Sequence, residues 1–103
     1  MEADKYYKTS RDMEHLLELL NAGKEVVCFY TYNFFEHDKD REPFMVTDIC
    51  VAKYIKRENP DNNEYSFSAR GIGYISFYPN WGYEYTILDL LKARDIQYIE
   101  PNL

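Results

Sequence analysis

Two long runs with alternating side chains, residues 44–56 and 65–78, flank the cluster Asn59-Pro60-Asp61-Asn62-Asn63. Proline presets one φ, and the Asn and Asp side chains bond their own backbone, so this cluster is a dense turn signal. A turn between two period-two runs predicts an antiparallel hairpin, and this pairing constrains the fold more than any other feature. On the first run Met45, Thr47, Ile49, Val51 and Ile55 share one face, and Val46, Asp48, Cys50, Ala52 and Tyr54 share the other. The second run reads as one strand over residues 65–78. Its odd face carries Tyr65, Phe67, Ala69, Gly71, Gly73, Ile75 and Phe77. Two glycines on that face predict a bend, or a helix packed very close.

The remaining elements follow from local patterns. Met13, Leu16, Leu17 and Leu20 recur at i, i+3, i+4 and i+7, which predicts a helix over 10–22 with Thr9 and Ser10 as N-cap oxygens. Asp12 in its first turn complements the dipole, and Gly23 is the natural stop. Residues 26–32 form a continuous β-branched and aromatic run and read as a strand buried on both faces. Thr86 caps a second helix, with Asp89 at N3 as a short capping box and Ile87, Leu90 and Leu91 as the apolar stripe. Residues 96–99 form a short closing strand, and residues 1–8 read as a loose leader. The expected class is α+β: an antiparallel sheet of about four strands, two helices on one face, order α-β-β-β-α-β. No linker, repeat or low-complexity tract divides residues 1–103, so one domain is expected; at this size about two-thirds of the chain's surface can be buried.

Charge and cysteine usage narrow the function classes. The chain carries 18 acids against 12 bases, a net charge of −6, so direct nucleic-acid binding through phosphate neutralisation is not expected. Cys28 and Cys50 lie in apolar runs and read as buried, reduced thiols; a bridge between neighbouring strands stays open, but one bridge is not a secreted framework. Residues 1–8 are polar and charged, unlike a signal peptide. No apolar stretch approaches the roughly 18 residues of a membrane span. A cytoplasmic protein without membrane partners is the expectation.

Signatures of chemistry are weak. Asp38, Asp40 and Glu42 alternate like the first positions of a calcium loop. The sixth position is Pro43 rather than Gly and the twelfth is Ile49 rather than Glu, so a solvated loop balanced by Lys39 and Arg41 is the better reading. The two His and two Cys lack zinc spacing. Cys28, within Val-Val-Cys-Phe-Tyr, sits where a thiol pKa rises, and His15 reads as a boundary residue beside the helix stripe. Arg70-Gly71-Ile72-Gly73 holds a G-x-G, but Ser76 stands where the third Gly of a dinucleotide loop belongs. No metal, cofactor or catalysis is expected; an enzyme would rest on one carboxylate or on His37.

What stands out is surface chemistry. Residues 77–85 read Phe-Tyr-Pro-Asn-Trp-Gly-Tyr-Glu-Tyr, five aromatics in a loop broken by Pro and Gly. Phe77 and Trp81 are placed to cap the core, while Tyr78, Trp81, Tyr83 and Tyr85 supply the side-chain types that dominate binding hot spots. The run 29–35, with four Phe or Tyr before Phe35, leads into the acidic stretch Glu36, Asp38, Asp40 and Glu42, which can extend the same surface. If acids from the helices, this loop and the turn near Asp61 converge, they imitate a phosphate array that fits a basic groove.

Two segments carry a family resemblance. Leu17, Leu20, Gly23, Lys24 and Val26 resemble the helix-Gly-Lys-x-Val opening of the small phage Thoeris anti-defence proteins, which sequester cyclic nucleotide signals. Asp89-Leu90-Leu91, with Asp95 and Tyr98, resembles that family's closing helix and strand. Together these cover about a third of the chain. Where the family carries Arg-x-Gly-Trp, this chain runs Cys28-Phe29-Tyr30-Thr31, and its Asp-Trp is Asp95-Ile96. The resemblance implies a compact, oligomeric phage anti-defence protein. The leading expectation is thus a non-catalytic inhibitor of anti-CRISPR or anti-restriction type. It would act in the cytoplasm of an infected bacterium by covering the basic nucleic-acid-binding surface of a host nuclease. Sequestration of a cyclic nucleotide, an interaction subunit of a larger assembly, and self-association remain open beside it.

Overall fold

A computed structural model describes residues 8–69, 73–79 and 86–101. Its elements are β1 (Thr9–Ser10), α1 (Met13–Asn21), β2 (Val26–Asn33), β3 (Met45–Ile55), β4 (Glu64–Ala69), β5 (Gly73–Phe77), α2 (Ile87–Ala93) and β6 (Gln97–Ile99), with a 3-10 turn at Pro60–Asn62 before β4. The class is α+β, as expected. The sheet has six strands rather than about four, in the order β1-β6-β2-β3-β4-β5, and every paired neighbour is antiparallel.

Two differences enlarge the sheet. The run read as one strand over 65–78 is a hairpin: Ala69 pairs with Gly73 and Tyr65 with Phe77, so the chain reverses between β4 and β5. Of the two glycines read as a bend, Gly73 is the first residue of β5, opposite Ala69, and Gly71 lies with Arg70 and Ile72 outside the described residues. At the other edge, Thr9 pairs with Ile99 and Ser10 with Tyr98, so the segment expected to open the first helix is extended. That helix consequently begins at Met13 with Asp12 as its N-cap, the carboxylate accepting from the His15 N–H at 3.1 Å. Ser10 Oγ accepts from the Asp12 N–H instead. Lys8, read as leader, accepts at its carbonyl from the Glu100 N–H at 2.7 Å; residues 1–7 lie outside the described ones.

Local signals hold elsewhere. Gly23 has φ 84°, and the N–H groups of Gly23 and Lys24 donate to Leu20 and Leu19, a Schellman closure of α1. Thr86 and Asp89 form the reciprocal capping box of α2. Asn59 Oδ1 accepts from the Asp61 N–H within the turn between β3 and β4.

The core lies between the helices and one sheet face. Leu16, Leu20 and Leu91 join Cys28, Tyr30, Cys50, Ala52, Phe67, Phe77 and Tyr98 in a single buried cluster. Burying each leucine contributes roughly 1.5–3 kcal/mol. Phe67 is the hub of the aromatics, 5.8 Å from Tyr30 and 5.6 Å from Phe77 between ring centroids. Even-numbered residues of β2 and β3 face this core. The both-face burial expected of β2 is therefore corrected: Val26, Cys28 and Tyr30 are buried, whereas Val27 is 38% exposed on the opposite face. No helix among the described residues is long and apolar enough to cross a membrane.

Candidate functional site

The loop between β2 and β3 carries the four acids singled out by the sequence, and Asn33 organises it. The last residue of β2 directs its Oδ1 at two N–H groups, accepting from Phe35 at 3.1 Å and from Phe44 at 2.9 Å. Phe34 N–H donates to the Phe44 carbonyl at 2.7 Å, so one more antiparallel link closes the base of the loop. Short turns follow, with Glu36 N–H donating to Asn33 and Asp38 N–H to Phe35. The eleven residues 34–44 leave the sheet and return with their ends tied, which fixes the loop's direction.

Three phenylalanines meet at this base. Phe34 stands edge-on to Phe35 at 5.1 Å and to Phe44 at 6.3 Å, and the Arg41 guanidinium lies 4.9 Å from the Phe35 ring centroid. Phe35 is partly buried, but Phe34 and Phe44 remain 60% and 58% exposed, and Met45 beside them 60%. An apolar cluster rimmed by charge is the anatomy of a binding surface.

The acids divide into two pairs. Glu36 faces Arg94 at 3.7 Å, and Asp38 holds the Arg41 side chain at 3.1 Å while its other oxygen accepts from the Asp40 N–H. Asp40 and Glu42 are exposed, and among the described residues neither carboxylate forms an ion pair. The loop's acids outside any ion pair therefore sit on its returning half, between Asp38 and Phe44. Four acids elsewhere are matched, Glu14 with Lys92, Glu64 with Arg57, Glu100 with Lys8, and Asp95 with Arg11, while Glu25 and Glu58, like Asp40 and Glu42, form no ion pair among the described residues.

Tyr78 does not join this loop. It follows Phe77, which pairs with Tyr65, which pairs with Tyr54 near the far end of β3. Tyr54 is nine positions along β3 from Met45, about 30 Å at strand rise. The half-buried Tyr78 and the acidic loop thus occupy opposite ends of the sheet. Trp81, Tyr83 and Tyr85 lie outside the described residues. Sequence reading singled out the run 29–35, whose Phe34 is exposed here, but passed over Phe44 and Met45, which join it as an exposed group, and the role of Asn33 as their anchor. The signal available was an Asn at a strand end followed by two aromatics.

Other candidate chemistry is placed as follows. Cys28 and Cys50 are free, buried and directly opposite one another in the β2–β3 register. Their mutual hydrogen bond and burial push the Cys28 thiol far above the ordinary range. His15 is partly exposed, its Nδ1 3.6 Å from Glu18 and its ring beside Tyr98. Among the described residues no three His, Cys, Asp or Glu side chains come together as a metal site. Comparison with protein-family models, curated proteins and solved structures yields no match to this chain.

Proposed function

We propose that this protein is a non-catalytic binding protein, and that residues 34–44 are the part that enters its partner. The observation carrying this reading is the exposed pair Phe34 and Phe44, tied to each other by the Phe34 N–H on the Phe44 carbonyl and, at Phe44, to Asn33, with Asp40 and Glu42 beside them outside any ion pair among the described residues. Exposed aromatics on a tied loop give contact area at small entropic cost. Carboxylates around them select a basic partner and speed its approach. A basic surface of matching shape is what a nucleic-acid enzyme presents to phosphates, so the partner class is a nucleic-acid-binding enzyme. The biological setting proposed is inhibition of a host defence nuclease by a phage-type protein in the bacterial cytoplasm. The family resemblance in the two helix-to-strand joints supports that setting.

The test is capture and inhibition with the full chain immobilised, using purified CRISPR and restriction nucleases across a salt series. A nuclease retained at low salt, released at high salt, and blocked from its nucleic acid is the expected result. The double variant Asp40→Lys, Glu42→Lys should weaken the complex at least tenfold, and Phe44→Ser by about tenfold, the loss typical of one hot-spot side chain. Inhibition left intact by both variants sinks the loop as the interface.

A further inference from the structure

Among the described residues the helices cover one face of the sheet; on the other, the β4 positions Glu64 and Ser66 are buried, but the part formed by β2, β3 and β6 stays open at Val27, Ile49 and Val51. Its outward positions are Val27, Phe29 and Thr31 on β2, Met45, Thr47, Ile49 and Val51 on β3, and Gln97 and Ile99 on β6. None of these is charged, in a chain whose residues are 29% charged. A solvated sheet face ordinarily alternates to polar residues. Here Ile49 is 62% exposed, with Val51 and Val27 half-exposed beside it. The charged outward positions are Lys53, farther along β3 itself, and Glu64 on β4, which is buried and paired with Arg57; both lie toward the far end of β3.

We propose that this face binds a second copy of the same chain, two sheets packing across a two-fold axis that passes near Phe29 and Ile49. Position supports it. β2 and β3 are the two central strands of six, and Phe29 opposite Ile49 is the fourth of eight register pairs. The most exposed aliphatic side chain of the face thus stands at the centre of the sheet, where an isologous contact places its anchor. The Thr31 and Thr47 hydroxyls there already bond each other at 2.9 Å, which lowers the cost of removing water from them. Area supports it as well. The strands cover roughly 550 Å² in projection from their rise and spacing. Side-chain relief adds to this and brings the face into the range of about 600–1,000 Å² per partner found for stable complexes.

Charge decides the occupant. A basic protein finds no carboxylate over the centre of this face. Two copies at −6 each repel wherever their acidic surfaces approach, and the uncharged face is where they meet with least repulsion. Aligned sheets pack about 10 Å apart, with inner side chains interdigitated. Such a dimer keeps both 34–44 loops at its ends, and of the residues named for the two surfaces only Met45, at their common edge, belongs to both.

Sedimentation equilibrium of the full chain over a concentration and salt series tests the proposal. A monomer–dimer equilibrium that tightens as salt screens the mutual repulsion is expected. That is opposite in sign to the partner complex, so failure of one reading leaves the other measurable. Ile49→Lys should weaken the dimer at least tenfold, and Val51→Lys likewise, with far-ultraviolet circular dichroism unchanged because both side chains are exposed in the monomer. Asp40→Lys with Glu42→Lys should leave the dimer in place. A chain monomeric up to millimolar concentration overturns the proposal, as does a dimer indifferent to both lysine variants. Loss of nuclease capture by Ile49→Lys in a monomeric protein also overturns it, because the face then belongs to the partner.

Discussion

Gly23 separates backbone strain from packing. Its φ of 84° lies in the left-handed region, and a Cβ built there meets nothing within 4 Å. Gly23→Ala therefore costs conformational energy alone, about 1 kcal/mol, read as a lower urea midpoint with an unchanged slope. The sequence identifies this residue because the helix stripe ends three positions before it. Thr86 and Asp89 are legible for the same reason, each acting within three residues. Asn33 is not, because one of its two partners is Phe44, eleven residues away, and only the finished hairpin brings that N–H to it. Tyr98 is a further residue whose role depends on its surroundings. Its ring is buried, and among the described residues its hydroxyl has no hydrogen-bond partner, although Ser10 stands opposite in register.

Elements are legible where the pattern is local and ambiguous where parity survives a reversal. Ala69 and Gly73 are both odd-numbered and pair with one another. The alternation of residues 65–77 therefore runs unbroken through the turn, and a hairpin reads as a single strand. β1 is too short for any periodicity; its strand character comes from β6, ninety positions later. The sequence marks residues 33–43 as a charged loop ending at Pro43, but not as an ordered element with an aromatic base. Removing its anchor measures that order. Asn33→Ala should destabilise the protein by about 1–2 kcal/mol, the effect of two lost hydrogen bonds from ordered N–H groups. It should also raise hydrogen exchange at Phe35 and Phe44 while α1 amides keep their protection.

At the scale of the whole molecule, one strand does not decide which face is the inside. On β3 the outward row of Met45, Ile49 and Val51 is at least as apolar as the inward row of Cys50 and Ala52. The choice is made jointly, because register ties Cys50 to Cys28, Cys28 to Tyr98 and Ala52 to Phe67, and the helices settle on the face those residues share. The same core sets an alkaline limit. Burial raises the Tyr30, Tyr65 and Tyr98 hydroxyls above the ordinary value of 10.0, most simply in Tyr65, whose hydrogen bond to Asn21 only partly offsets it. Above that pH the unfolded chain releases protons that the folded chain retains, so stability is intact below about pH 10 and declines above it. Alkaline titration should show exposed tyrosinate absorbance first and a later step coincident with loss of circular dichroism. Finally, the thiols of Cys28 and Cys50 sit under both helices at the middle of the two central strands. A water-soluble thiol reagent reaches them only when that centre parts. The rate at which the native protein consumes such a reagent is therefore a clock for the rarest excursion of the chain, ticking without any added label or mutation.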